Sequence, residues 1–486
     1  MTKFSPLIEY KATQGQYQLL PFKFEPLDDH EVVITNFVGE FAFISREDLE
    51  ATLSKKLDPN SKIYSLLRSR HFIKENGDEA SIELLGLKTR TKYNKLRNFT
   101  NLHIFVVTLR CDHSCQYCQV SRQSENKVAF DMTIDMAEKA LAIVFRSPNP
   151  AIKIEFQGGE PLLNFDLVKH IVLRAKEINE TQKRDLQFVI TSTLTLVTDE
   201  ILVFCKSHKV YLSTSLDGPE DLHNRNRPRP GRDSYARFVE GLERTRGVLG
   251  FDAVSALMTT SPASLTRAKD IVDEYLKHGF DGIFFRHLSP YGFAIKTKSY
   301  GAYNVDRWLK FYQEGLDYII ELNKQGVRFT EHFAALMLTK MLTSNDPGYV
   351  DLMNPSGAGI AAVVFNYDGD IYASDESRML REMDDTTFKI GNLFTSSYED
   401  VFTNEVLLGA LEDSFTLSAP MCSDCAFEPW CGADPVYHHA MHGDVLGRKP
   451  ESEFCKRIMG VVKLLLERMK SDQQVKTIFM RWANRC

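Results

Sequence analysis

Between residues 18 and 45 apolar and polar positions alternate, in "YQLLPFKFEPL" and "EVVITNFVGEFAFIS", at the two-residue period of strands with one buried face. Gly39 marks a hairpin turn inside the second stretch. The period then lengthens. "SREDLEATLSKKL" opens with Ser45 and Asp48 in capping-box spacing, and "SKIYSLLRSRHFI" repeats its apolar residues at helical intervals. The pattern predicts a hairpin-plus-helices module within residues 1–98, its elements lying near 18–75. The basic run Lys88, Arg90, Lys92, Lys95 and Arg97 reads as a solvated connector.

From residue 100 to about 300, short apolar runs at 102–108, 152–156, 186–191, 210–215, 253–259 and 282–286 alternate with helical stretches such as "NFDLVKHIVLRAKEIN". This order predicts β/α units around a parallel sheet or barrel. Six units are too few to close an eight-stranded barrel, so residues 99–300 are expected to form a partial one. A helical linker is expected over 301–345. A cysteine-bearing domain follows over 346–486, ending in the amphipathic "KRIMGVVKLLLERMKSDQQVKTIFMRW". There is no internal repeat and no low-complexity segment.

Composition narrows the function classes. With 43% hydrophobic and 26% charged residues and a net charge of −6, the chain makes no electrostatic case for nucleic acid. No apolar run approaches membrane-spanning length, and "MTKFSPLIEYKATQGQ" lacks an apolar signal core. The expected place is the cytoplasm. In that reducing compartment the nine cysteines are read as ligands or bystanders rather than cross-links. Cys205 and Cys486 stand alone and are taken as a buried small hydrophobe and a tail thiol.

"TLRCDHSCQYCQVSR" places Cys111, Cys115 and Cys118 just after the first barrel strand, at the end where βα-loops build active sites. Three thiolates can hold three irons of a [4Fe–4S] cube and leave the fourth iron open. Zinc would need a fourth ligand, for which His113 is the local candidate. The C-x3-C-x2-C spacing with Tyr117 before the last cysteine resembles the radical S-adenosylmethionine (SAM) enzymes. That resemblance implies that SAM chelates the open iron, and that the reduced cluster cleaves it to a 5′-deoxyadenosyl radical, which abstracts a substrate hydrogen. It places Tyr117 near adenine. "EFQGGEPLLN" resembles the family's GGEP motif, with Gly158, Gly159, Glu160 and Pro161 near the SAM amino group; adjacent glycines allow close backbone approach. "STSLDGPEDLHNRNRPRPGRDSY" resembles the segment after the fourth strand. The resemblance implies Ser215 and Asp217 at the ribose or carboxylate of SAM, and Arg227 at the carboxylate.

"MCSDCAFEPWCGADP" and "SEFCKRIMG" supply Cys422, Cys425, Cys431 and Cys455, four thiolates with no open corner. Spacing alone leaves a closed zinc site and a fully ligated [4Fe–4S] cluster both open. The pattern resembles the SPASM extension of radical SAM maturases, which commonly binds two auxiliary clusters. Overlaid on "SGAGIAAVVFNYDGDIYAS", that pattern puts Ser356 and Ser374 at two cysteine positions around Gly369, and Pro435 at a third. All three losses fall on one auxiliary cluster, so two [4Fe–4S] clusters are expected, one SAM-binding and one auxiliary. Asp375 follows Ser374 where related sulfatase maturases carry a catalytic carboxylate; it is a candidate acid or base, or else a turn carboxylate. His438, His439 and His442 are read as local structure.

The longer strings, among them "FRHLSPYGFA" and "NPSGAGIAAVVFNYDGDIYASDESRMLREM", resemble the HxsB-type radical SAM maturases of the His-Xaa-Ser system. The resemblance implies a His-Xaa-Ser repeat peptide as substrate, a companion radical SAM protein and a reductant such as flavodoxin or ferredoxin. The N-terminal module resembles the winged-helix-like α+β peptide-recognition modules of such systems, whose sheet edge can add an extended leader as a strand. Two other readings remain: an Fe–S peptide-binding chaperone for the companion protein, and a formylglycine-type sulfatase maturase.

Overall fold

The N-terminal alternation becomes two small antiparallel sheets. The computed structural model describes residues 13–484; Cys486 and the first residues of the chain lie outside it. The strands here are β1 (Thr13–Leu19), β2 (Phe22–Pro26), β3 (Glu31–Asn36), β4 (Phe41–Ser45) and β5 (Ile73–Asn76). β1 pairs with β5, and β2, β3 and β4 form a meander. Gly39, at φ +91°, makes the β3–β4 turn. Helix Arg46–Leu53 starts at Ser45, whose side chain accepts from Asp48 N, and Ser61 caps helix Lys62–Ser69 in the same way. Tyr17, Ile34, Ile44, Tyr64, Leu67 and Phe72 share a core of their own.

The basic connector departs from its reading as a solvated linker. Asp78 caps a helix over Glu79–Lys92, which carries the first three of its cations. Lys88 pairs with Glu40, and Lys92 Nζ donates to Phe37 O at 3.1 Å. Lys88 and Lys92 are drawn inward because acceptors of the β3–β4 turn face them, while Arg90, Lys95 and Arg97 stay exposed.

Five of the six predicted barrel strands form: β6 (Leu102–Thr108), β7 (Ala151–Gly158), β8 (Asp185–Thr191), β9 (Val210–Ser215) and β10 (Val254–Leu257). They run parallel in spatial order β10-β9-β8-β7-β6, with helices between them. β6 is central and buried at six of seven positions, as its near-continuous apolar run requires. The sixth strand shrinks to β11 (Gly282–Ile283), which pairs with β12 (Thr330–Glu331). Beyond it the Phe285 amide is taken by the Glu331 carboxylate at 3.1 Å. Arg286 O still accepts from Thr260 N and Oγ1, at 2.9 and 2.7 Å, so this segment flanks β10 without a ladder.

The sheet also continues on its other side. β13 (Ala362–Phe365) pairs in parallel with β6, followed by β14 (Asp370–Tyr372) and β15 (Lys389–Asn392), both antiparallel. The cysteine-bearing C-terminal region therefore shares one eight-stranded sheet with the barrel. The terminal amphipathic stretch is two helices, Glu453–Ser471 and Gln473–Ala483, because Asp472 caps the second through Gln474 N and Val475 N. No helix among the described residues is long and apolar enough to cross a membrane.

Candidate functional site

The loop after β6 is fixed before its first cysteine. Gly159 N donates to Thr108 O and Glu160 N to Arg110 O, both at 2.8 Å, extending the β6–β7 pairing past the strand ends. Arg110 grips Asp131 through Nε and Nη2, each at 2.7 Å, and Nη2 also donates to Leu163 O. A Cβ on Gly158 would lie 1.9 Å from Thr108 O, and one on Gly159 2.2 Å from Arg110 O. The close approach these glycines permit is to the cysteine loop itself. Further along, Ser114 N donates to Pro228 O at 2.7 Å and Phe293 N to Cys118 O at 2.8 Å.

Cys111, Cys115 and Cys118 line an open cavity at the C-terminal ends of β6–β10. Their thiols are free. Burial pushes Cys115 up to about 12 and Cys111 well above its ordinary value, so metal binding here would release protons. His113 joins the cavity wall, but its Nδ1 is engaged with Asp112 Oδ1 at 2.9 Å, and Asp112 also accepts from Thr195 Oγ1.

The SAM-contact candidates divide into two groups. Tyr117, Gly158, Gly159, Ser215 and Arg227 line the cavity. Asp217, Glu160 and Pro161 lie behind it. Asp217 is fully buried, accepts from the Tyr117 hydroxyl and pairs with Arg227 Nε at 3.1 Å. The Arg227 guanidinium lies 5.5 Å from the Tyr117 ring centroid. Burial opposes the charge on Arg227, but Asp217, Tyr117 and Cys115 more than offset it and hold the group cationic. Asp217 thus braces two wall residues. Glu160 also faces inward, accepting from Thr193 N and Oγ1 at 2.8 Å and Leu162 N at 3.1 Å.

Sequence reasoning missed much of the opposite wall: Glu155, Gln157, Thr191, Thr193, Thr259 and Arg286. Arg286 ends the predicted 282–286 strand, so the strand-end rule applied to the other loops would have found it. Asp375 also reaches this cavity, at the first turn of helix Asp375–Arg381 behind its Ser374 cap. Its Oδ1 has no hydrogen-bond partner among the described residues, with Arg378 Nη2 3.9 Å away. Burial raises its pKa, against the pull of Arg378 and Arg286. The residues present fit the expected groups: three free thiols for a cluster, with an aromatic ring, hydroxyls and two guanidiniums around the cavity.

Cys422, Cys425 and Cys431 lie on the loop before helix Pro435–His442, and Cys455 on the first turn of Glu453–Ser471, beside the Ser452 cap. All four thiols are free. Burial pushes Cys455 up to about 11 and Cys431 higher, and each neighbouring cysteine adds to the shift, so the four face one another. Among the described residues no three of these sulfurs gather within 4.8 Å, the spread one zinc ion with Zn–S near 2.3 Å would need. Lys340 Nζ donates to Cys431 O at 2.9 Å and Lys23 Nζ to Cys422 O at 3.3 Å, placing cations around the site. The N-terminal module docks here: Trp430 Nε1 donates to Gly39 O at 3.1 Å and its ring meets Phe41 edge-on, centroids 5.4 Å apart.

Ser356, Ser374 and Pro435, separated by up to 79 residues in sequence, converge on one small cavity. His438 and His439 are engaged locally, His438 with Asp434 O and Ser452 Oγ, His439 with Asp385 at 2.7 Å. Cys205 is fully buried, its thiol pushed up to about 12.

Residues 105–262 match the family described as the Radical SAM superfamily. The radical SAM cyclopropyl synthase TigE of Paramaledivibacter caminithermalis is 21% identical over 43% of this chain and 44% of its own length. The chain spans 62% and 44% of the first two curated relatives it matches. The structure of anSMEcpe with bound AdoMet aligns at TM-score 0.62 and 16% identity, covering 79% of this chain and 99% of that one. Streptococcus suis SuiB bound to precursor peptide SuiA aligns at TM-score 0.53 and 15% identity, covering 91% and 100%. The fold over the covered residues is theirs, and residues 105–262, about a third of the chain, are similar to the Radical SAM superfamily.

Proposed function

We propose, from the premise of a radical SAM domain, that the chain is a cytoplasmic peptide maturase that modifies a His-Xaa-Ser repeat peptide, as HxsB-type enzymes of that system do. The observation that carries the reading is the convergence of Cys111, Cys115, Cys118, Tyr117, Ser215, Arg227 and Asp375 on one cavity. When bound, the SAM-binding cluster supplies the electron that cleaves SAM to a 5′-deoxyadenosyl radical. The chain's own residues do the rest. Cys111, Cys115 and Cys118, on the cavity wall, would hold three irons of that cluster and leave the fourth for SAM. Arg227, charged and fixed by Asp217, binds the SAM carboxylate; Tyr117, fixed by the same aspartate, flanks adenine. Gly158 and Gly159 hold the cysteine loop in register. Asp375, a wall residue of that cavity with one oxygen lacking a hydrogen bond, accepts or donates the substrate's proton. Cys422, Cys425, Cys431 and Cys455 hold the auxiliary cluster.

A peptide substrate is supported by the fold shared with SuiB, solved with its precursor peptide, and by a second cleft. That cleft runs beside the β4 edge between the N-terminal module and the terminal helices, with Arg70, Lys88, Lys92, Lys340, Lys470 and Lys476 on its walls. The companion radical SAM protein and a flavodoxin or ferredoxin reductant belong to the same reading. A sulfatase-maturating activity shares the fold and Asp375 with it, and the fold's likeness to anSMEcpe is the observation in its favour.

The test is anaerobic reconstitution with reductant and SAM, with a His-Xaa-Ser peptide or a sulfatase-type cysteine peptide, scoring 5′-deoxyadenosine and peptide mass. Peptide-dependent 5′-deoxyadenosine and a mass change on the His-Xaa-Ser peptide, both lost in Cys118→Ala, are expected. Modification of the cysteine peptide alone transfers the assignment to sulfatase maturation. Full modification by Cys118→Ala beside the companion protein makes the chain a scaffold.

A further inference from the structure

Next to the cavity of the three cysteines lies another, much smaller one, of about 40 Å³, which shares Arg286 with it. It also adjoins the small cavity where Ser356, Ser374 and Pro435 meet, sharing Asp351, Glu376 and Asp434. Three charged elements thus surround the place that a second auxiliary cluster's ligands have left. Against three carboxylates stand two guanidiniums, Arg286 and Arg457. With all five ionised, the wall itself carries one net negative charge, which Lys449 offsets in part from outside the wall through Asp434.

The remaining walls are aromatic and contain polar groups with nothing to bind. Tyr291 is 1% exposed and its hydroxyl has no hydrogen-bond partner among the described residues. The same holds for Trp308 Nε1, also 1% exposed, and for both ring nitrogens of His287, 8% exposed. All three side chains line the cavity. Buried polar groups are almost always paired, so three orphans around one space mark a place built for an occupant. A carboxylate ligand is disfavoured there by the charge balance, and an aliphatic one would leave every orphan unsatisfied. A compact cation satisfies the carboxylates by charge and the aromatic faces by cation–π contact, and it can donate to the Tyr291 oxygen and the bare His287 nitrogen, leaving the Trp308 and His287 N–H donors to a peptide carbonyl or water.

We propose that this cavity, lined by Asp351, Glu376, Asp434, His287, Tyr291 and Trp308, binds a protonated nitrogen side chain of the substrate, an imidazolium or ammonium, and so fixes the neighbouring residue against the radical site. The proposal rests on the peptide-modifying reading and sharpens it. Arg286, reaching both cavities, is the wall between the anchor and the reacting group. The Asp375–Glu376 dipeptide divides its carboxylates in the same way, one to each cavity.

The experiment titrates the reconstituted full chain near neutral pH with acetyl-Gly-Xaa-Gly-amide peptides, where Xaa is His, Lys, Leu or Glu. It uses calorimetry and tryptophan fluorescence, to which Trp308 reports from the cavity wall. Saturable binding of the His or Lys peptide, at least tenfold tighter than Leu or Glu, is expected. Glu376→Gln and Asp434→Asn should each weaken it about tenfold while keeping wild-type iron content and circular dichroism. Two separate variants guard against one failing to fold. Equal affinities for all four peptides, no binding, or binding indifferent to both substitutions overturns the proposal. SAM cleavage, measured on the same preparation with the His-Xaa-Ser peptide, is independent of this result. Cleavage without peptide discrimination sinks the anchor alone, whereas discrimination without cleavage sustains the anchor and sinks the maturase reading.

Discussion

Replacing Gly159 with alanine tests how the cysteine loop is held. The added Cβ would stand 2.2 Å from Arg110 O and 2.7 Å from Leu109 O, where ordinary contact begins at 3.4 Å. Both atoms are backbone, and Arg110 is held by Asp131 and by Glu160 N, so no flexible side-chain end can move aside. The two segments must part by about 1.2 Å, the difference between 3.4 and 2.2 Å. Functional constellations tolerate roughly 0.5 Å, and Cys111 is the next residue along. Overpacking of this kind costs about 1–3 kcal/mol, which leaves a protein of this size folded. The expected variant keeps wild-type circular dichroism and the auxiliary cluster and loses the SAM-binding one. Iron should fall from about eight to about four per chain, and 5′-deoxyadenosine should disappear. Gly247→Ala is the control, because a Cβ there meets nothing within 4 Å. A Gly159→Ala protein with full iron and full SAM cleavage would refute the claim that these glycines exist to let two backbones meet.

Three other outcomes follow from the same geometry. Burial raises Asp351 to about 6, Glu376 to about 7 and Asp434 to about 6, with Arg286, Arg457 and Lys449 pulling the other way. The folded state therefore binds more protons than the unfolded state between the ordinary carboxylate range and pH 7. Stability should fall as pH rises through that window, by up to about 1.4 kcal/mol per pH unit for each extra proton. Urea midpoints at pH 5.5 and 7.5 (a span of roughly two units) read this, and Glu376→Gln should flatten the slope; an unchanged slope contradicts it. Phe41→Ala removes the ring that meets Trp430 and should cost about 3–5 kcal/mol, seen as early release of the N-terminal module in limited proteolysis; wild-type protease resistance would count against that docking. Asp375→Asn should leave SAM cleavage intact while lowering peptide product by about a hundredfold, and equal losses of both would reduce Asp375 to a structural role.

Five barrel strands, the Ser45 and Ser61 caps and both cysteine groups were legible because each is written locally, as a period, a cap or a spacing. The sixth strand was not. "GIFFRHL" has the apolar pattern of a strand, but the Phe285 amide is claimed by Glu331, forty-six residues away, and no local period reports a side chain arriving from a distant helix cap. The connector at 88–97 failed for a related reason. Its cations look solvated in sequence, and only the fold brings the Glu40 carboxylate and Phe37 carbonyl to them. The GGEP glycines were found and line the cavity, but that they also meet the cysteine-loop backbone was not legible, since sequence shows where a backbone must come close and not everything it approaches.

The missing auxiliary thiols show the same limit from the other side. Ser356, Ser374 and Pro435 could be placed because a spacing pattern predicts positions even where the residue type has changed. What occupies the space could not be placed, because Asp351, Glu376 and Asp434 sit in three unrelated contexts, "YVDLM", "SDESR" and "CGADP", each of which passes for a turn carboxylate. A cluster ligated at these positions would bind the three segments together through metal bonds. Without it, the segments need another reason to converge, and three like charges supply the opposite. Arg286 and Arg457 remove only part of that repulsion. The residual charge is a standing cost to the folded chain, one that a bound cation would relieve. The stability gained on adding the lysine tripeptide should therefore be largest at the alkaline end of the window and vanish once the carboxylates are protonated.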